Sequence, residues 1–160
     1  DEGAGLEEQD RRLGMDPDSG FLGGICPHDD HLYASRVYVR LTERITAPRV
    51  LLLGVFHGAR HWEMENRLVF EEFESWHGPW GPVPVDALRG ELLEALPAED
   101  VVVSNAMHEF EHSLEAIVPF LQQRNRDVSI VPSISNVFTK PCMSASSACS
   151  NPAAICIAAC

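Results

Sequence analysis

No uninterrupted apolar stretch in this chain approaches the ~20 residues that a membrane-spanning helix needs. Basic residues are scarce: 12 Lys and Arg stand against 24 Asp and Glu, for a formal charge of −12. That balance removes the basic patch on which phosphate-backbone binding depends, so neither a nucleic acid nor a membrane is expected as a partner. Cysteine is nearly absent from the first 132 residues, where Cys26 stands alone, and no Cys-x-x-Cys pair occurs anywhere. A charged leader followed by an apolar core is not seen either, and the expected location is cytoplasmic.

What is present suffices for one domain. Apolar residues make up 45% of the 160, and of the 7 histidines most fall near turn signals and not on apolar faces. Residues 1–20 are acidic and polar and read as a loose lead-in. Residues 21–132 carry an alternation of strand and helix periods, which predicts an α/β fold with a mainly parallel sheet. After Pro132 the composition changes abruptly. Residues 133–160 hold no acidic residue, much Ser and Ala, and Cys142, Cys149, Cys156 and Cys160. This stretch reads as a low-complexity tail of the kind a frameshift produces, and it is expected to pack poorly on the rest.

The chain is organised around Cys26-Pro27-His28-Asp29-Asp30-His31. A short buried strand, Phe21–Ile25, precedes this cluster and a helix follows it. Ligand sites of α/β proteins lie at such strand ends, and the imidazoles favour Fe, Zn, Cu or Ni over calcium. Asp29 or Asp30 can equally cap the next helix through its carboxylate. That helix is expected over 32–44, with Tyr33, Val37, Leu41 and Ile45 as its buried stripe. Arg49–Val55 follows as the strongest strand, apolar enough to be buried on both faces. It runs into His57, so His28 and His57 each lie just past a strand end. If the two strands are parallel neighbours, both imidazoles project from one edge.

Further on, Arg67–Phe70 predicts a strand, and Trp76–Val85 an irregular loop with a strand at its end and His77 within it. Asp86 caps a helix to Leu96, with Leu88, Leu92, Leu93 and Leu96 along one side. Val101–Val103 reads as a short buried strand. His108 and His112 share a face if their stretch is helical. The helix over 111–124 is expected to be kinked at Pro119, and Val128–Val131 to be a strand.

Four stretches together resemble the Memo-like family, also called AmmeMemoRadiSam system protein B. Members commonly carry Pro-His-Ala-Gly-Tyr-x-Tyr-Ser-Gly, for which this chain has Pro27-His28-Asp29-Asp30-His31-Leu32-Tyr33-Ala34-Ser35. Their Leu-Gly-Pro-Ser-His-His corresponds to Leu53–Gly58, and their Leu-Gly-x-Val-x-Val-Asp to Trp80–Asp86. Their Glu-His-Ser-x-Glu and later Pro-Phe correspond to Glu111-His112-Ser113-Leu114-Glu115 and Pro119-Phe120. The resemblance implies an α/β/α sandwich similar to class III extradiol dioxygenases, present here as the N-terminal half. It also implies that His28 and His57 are the first two site histidines and that His112 lies beside the site. Asp29, Asp30 and His31 depart from the family's Ala, Gly and aromatic residue, and Gly58 replaces its second histidine. The later Asp-Phe-x-His-Trp motif and the site cysteine have no counterpart.

Three functions follow as expectations. The first is a metal-dependent, dioxygenase-like enzyme. Here His28 and His57, with Asp30 or His31, hold a divalent transition metal, Fe(II) in preference to Zn or Cu, while His112 and Asp30 serve acid–base chemistry. The second is a zinc-dependent hydrolase or deacetylase, because Pro27–His31 looks like a permuted His-Pro-Asp-Asp-Glu motif, in which an Asp activates metal-bound water. The third is a non-enzymatic protein that binds a small molecule or a peptide.

Overall fold

The computed structural model describes residues 8, 10–12, 14, 16 and 19–136, together with the backbone strand 154–159. Its strands are β1 (Gly23–Cys26), β2 (Arg49–Val55), β3 (Leu68–Phe70), β4 (Ser75–Gly78), β5 (Gly81–Pro84), β6 (Val101–Val103), β7 (Ser129–Ser135) and β8 (Ala154–Ala159). The helices are α1 (His31–Thr42), α2 (Leu88–Ala95), α3 (Asn105–Phe110) and α4 (Val118–Arg124). Six strands form one sheet in the order β1-β8-β2-β7-β3-β6, and β4 pairs with β5 in a separate hairpin. All neighbours in the large sheet are parallel except β3 and β7. The α/β class and the mainly parallel sheet are therefore as the periodicity predicts. None of the helices among the described residues is long and apolar enough to cross a membrane.

β2 lies in the middle, with Val50 opposite Ile130 of β7 and Leu52 opposite Ile157 of β8. Val50, Leu52 and Gly54 are buried on one face, while Leu51, Leu53 and Val55 on the other are half-buried. One face of this strand thus carries the core, not both. The buried face belongs to a single cluster with Tyr38 and Leu41 of α1, Val118 and Leu121 of α4, and Leu114 and Ile117 between α3 and α4.

Several predicted elements differ in detail. β1 and β6 are the sheet's two edges, so they are not buried strands: Ile25 is 74% and Val103 43% exposed. Helix α1 turns Ala34, Tyr38 and Leu41 inward, and leaves Tyr33 71% exposed. The Tyr38 hydroxyl causes this rotation. It accepts from the Asp29 backbone N–H at 2.8 Å and donates to the Asp29 carbonyl at 3.0 Å, which anchors the ring beneath the β1–α1 loop. Four leucines, Leu88, Leu92, Leu93 and Leu96, form the covered side of α2 as expected, all half-buried. Asp86 accepts from the Leu88 N–H at 2.9 Å.

Trp76–Val85 is a hairpin and not an irregular loop. Trp76 lies opposite Val83, the exposed His77 lies opposite Pro82, and Gly81 turns the chain at φ +110°, a conformation that favours glycine. Pro119 does not kink a long helix. It sits in the first turn of α4, where its missing N–H costs nothing. β7 runs past Pro132 through buried Ser133, Ile134 and Ser135. Proline is tolerated there because β3 reaches only Ile134 and Ser135, leaving no β3 residue opposite Pro132. The tail expected from Ser133 thus begins with three core residues, and 154–159 supplies the strand between β1 and β2. Cys142, Cys149 and Cys160 lie outside the described residues. The lead-in is likewise tied down in part: buried Asp10 accepts from Arg40 and Arg44, both at 2.5 Å.

Gly54 sets how closely the 111–114 turn lies on β2. A Cβ there would collide with Ser113 Oγ and come within 2.7 Å of Leu114 Cγ. Gly54→Ala is therefore expected to destabilise the chain by about 1–3 kcal/mol, the usual cost of overpacking. Urea unfolding checks this, and a midpoint equal to wild type would contradict the packing described.

Candidate metal centre

β1 and β2 are parallel but are not neighbours, because β8 lies between them. Two strand spacings amount to about 9–10 Å. The residues beyond each strand close that gap: His28 is two residues past Cys26, His57 is two past Val55, and their ring centroids are 4.8 Å apart. The third histidine comes from a turn. Ser104 caps α3 by accepting from the Met107 N–H, the helix ends at Phe110, and Glu111 takes an extended conformation. His112 therefore leaves the helix and reaches the strand edge. Its ring stacks on His57 at 5.1 Å and meets His28 edge-on at 6.1 Å.

One ring nitrogen from each of His28, His57 and His112 lies within 4.8 Å of the other two. His28 Nε2 and His57 Nε2 are 3.1 Å apart. Buried Glu111 organises the cluster. Its Oε2 accepts from the His57 backbone N–H at 2.6 Å. Its Oε1 accepts from His57 Nδ1 at 2.9 Å and from the backbone N–H groups of His112 (2.8 Å) and Ser113 (2.9 Å). Burial alone would push the Glu111 carboxyl upward, but these four hydrogen bonds outweigh it and hold the group below its usual range, hence ionised. His28 Nδ1 is buried without a hydrogen-bond partner.

Beside the cluster opens a cleft of about 740 Å³, lined by His28, Asp29, Asp30, His31, His112, Glu115 and Ala116. No basic side chain lines it apart from imidazoles. Of the expected ligands, His28 and His57 come together. Asp30 and His31 border the cleft but do not join the ligand group. His31 is engaged elsewhere: Nε2 donates to the Ala116 carbonyl at 2.8 Å, and the ring packs edge-on against Phe120 at 5.3 Å. Asp30 occupies the N-cap position of α1 without a side-chain capping bond, and its backbone N–H donates to Asp29 Oδ1 at 2.7 Å. His112, expected as an acid–base group, stands in the cluster of three histidines itself. His61 packs on Trp62 and Phe110.

His108 and His112 do not share a helix face, because α3 ends between them. His108 is buried and donates from Nε2 to the Val69 carbonyl at 2.9 Å. Glu111 and Glu115 went unremarked as site residues in the sequence. The available signal was the acid directly preceding His112, just past the end of a short helix.

An α/β sheet with three imidazoles gathered at one strand edge defines the class of protein. Comparison with known sequences then specifies the family: the family model for Memo-like protein matches residues 12–148. A MEMO1 family protein of Methanosarcina barkeri is 32% identical over 130 residues, covering 80% of this chain and 43% of that protein. One from Pyrobaculum aerophilum is 31% identical over 69% of this chain and 39% of its own length. A third, from Aquifex aeolicus, is 30% identical over 68% of this chain and 39% of its own. The chain belongs to the Memo-like family, and it spans about two fifths of the length of these relatives.

Burial pushes the His108 imidazole below its ordinary value of 6.5, against the opposing pull of the Val69 carbonyl and Glu111. The folded state thus binds this proton less readily than the unfolded chain. Stability from neutral His108 is present in full above 6.5 and is lost as pH falls from there toward the lower folded value. In urea melts between pH 8 and 5, wild type is expected to lose stability over this window more steeply than His108→Gln. Parallel curves would contradict the assignment.

Proposed function

We propose that this chain carries a metal-binding centre of a Memo-like protein, in which His28, His57 and His112 hold one divalent transition ion. The observation that carries the reading is the convergence of three ring nitrogens from two strand ends and one turn. The donors fit such an ion. Nitrogen ligands lie about 2.0–2.1 Å from a metal, so two of them stand at most about 4.2 Å apart. The His28–His57 separation of 3.1 Å already meets that limit. His112 is exposed, and a small turn of its ring brings it within reach. Imidazoles suit Fe, Zn and Cu alike.

The ion supplies Lewis acidity and, if it is iron, redox chemistry toward dioxygen. The residues of the chain supply the rest. Glu111 holds His57 and the His112 backbone in place, and the Tyr38 hydroxyl clamps the Asp29 backbone beside His28. Asp30 and Glu115 face the cleft with carboxylates able to take up or return a proton from a bound small molecule or peptide. The family likeness supports dioxygenase-like chemistry for the whole protein. A specific observation favours zinc-dependent hydrolysis as a second reading: Asp30 lies beside the ligand group and outside it, where a general base for water belongs.

Titration calorimetry with Zn(II), and with Fe(II) under anaerobic conditions, tests the centre. One equivalent is expected to bind wild type, and His61→Ala is expected to bind equally. His28→Ala, His57→Ala and His112→Ala are each expected to lose stoichiometric binding. Equal binding by all five proteins would overturn the assignment. Oxygen consumption with iron, against deacetylation with zinc, separates the two chemistries.

A further inference from the structure

We infer that Glu111 is a positioning residue that presets His57 for a metal, holding its proton on Nδ1 and leaving the Nε2 lone pair facing His28. The inference rests on the metal-binding reading for its purpose, and on hydrogen-bond geometry for its content. Glu111 Oε1 already accepts the backbone N–H groups of His112 and Ser113, which marks it as an acceptor toward the His57 ring as well. The 2.9 Å contact between Glu111 Oε1 and His57 Nδ1 therefore requires the hydrogen to sit on Nδ1. A neutral imidazole with Nδ1–H carries its lone pair on Nε2, the atom 3.1 Å from His28 Nε2.

The same carboxylate is saturated. Its two oxygens accept from the His57 ring, the His57 backbone, the His112 backbone and the Ser113 backbone. That matches the roughly four lone-pair sites a carboxylate offers. Glu111 thus joins the chain beyond β2 to the turn beyond α3, and fixes two of the three ligand segments from one buried point.

His28 is arranged differently. With His57 Nε2 as acceptor, the 3.1 Å contact makes His28 the donor through Nε2–H, and its buried Nδ1 has no partner. A metal needs the Nε2 lone pair of both rings. His57 meets it unchanged, whereas His28 must move its proton from Nε2 to Nδ1. That transfer is internal to the ring and releases no proton. Only one of the two histidines is therefore preorganised, and Glu111 is the reason.

Long-range ¹H–¹⁵N spectra of the histidine rings near pH 8 test this in the chain as it is. Metal-free wild type is expected to show His57 as the Nδ1–H tautomer and His28 as Nε2–H. Zn(II) is expected to convert His28 to Nδ1–H and leave His57 unchanged. His57 found as Nε2–H in wild type overturns the inference whatever any variant does. Glu111→Gln replaces one acceptor oxygen by an amide donor. It is expected to give His57 mixed tautomers and Zn(II) affinity about 10–100-fold weaker, the usual effect of losing a group that orients a metal ligand. A folded Glu111→Gln protein with an unchanged His57 tautomer and unchanged affinity also overturns it. If Glu111→Gln does not fold, the wild-type spectra decide. Wild type that binds no Zn(II) yet holds His57 as Nδ1–H refutes the metal reading and supports the role of Glu111.

Discussion

The parallel run of β1, β8 and β2 is the constraint on which the centre depends. Because the strands point the same way, the chain leaves β1 and β2 at one edge of the sheet, and His28 and His57 emerge there together. An antiparallel β1 would send His28 to the opposite end, about 13–23 Å away for strands of four to seven residues. Gly54 adds the second condition. Its missing side chain lets Ser113 and Leu114 lie against β2, and this brings Glu111 and His112 to the edge that the strands define.

Much of the fold was legible where one local signal dominates. Arg49–Val55 is an apolar run from Val50 onward, set between a proline and a turn, and β2 has those bounds. The face of α1 was not legible from spacing. Residues every four positions drift by about 40° per step on a helix of 3.6 residues per turn, so Tyr33, Val37, Leu41 and Ile45 cannot share one side. Two hydrogen bonds to the Tyr38 hydroxyl settle the rotation, and they depend on a loop nine residues earlier. The hairpin was hidden by Pro79, Pro82 and Pro84, which read as breakers. Prolines fit an isolated two-stranded ribbon because each strand has a partner on one side only.

The site divides in the same way. His28 and His57 could be placed because each follows a strand directly, and strand ends are where α/β folds expose side chains. Asp30 and His31 seemed to belong with them by adjacency, but at the start of α1 both border the cleft outside the three-histidine cluster. His112 depended on where α3 stops, and a four-residue spacing from His108 suggested a continuous helix. Glu111 was illegible for a further reason. A sequence shows an acid's charge but not the four N–H groups that allow that charge to be buried.

His31 illustrates how a departure from a motif can mislead. Its ring fills the place of the family's common aromatic residue and packs against Phe120 and Tyr38 as an aromatic would. It adds a single bond, to the carbonyl of Ala116. Variation at this position should track the identity of residue 120 across related sequences, since the two rings support one another. A search that scores position 31 as a ligand will sort relatives by supposed metal chemistry, when the property that varies is how one helix leans on another.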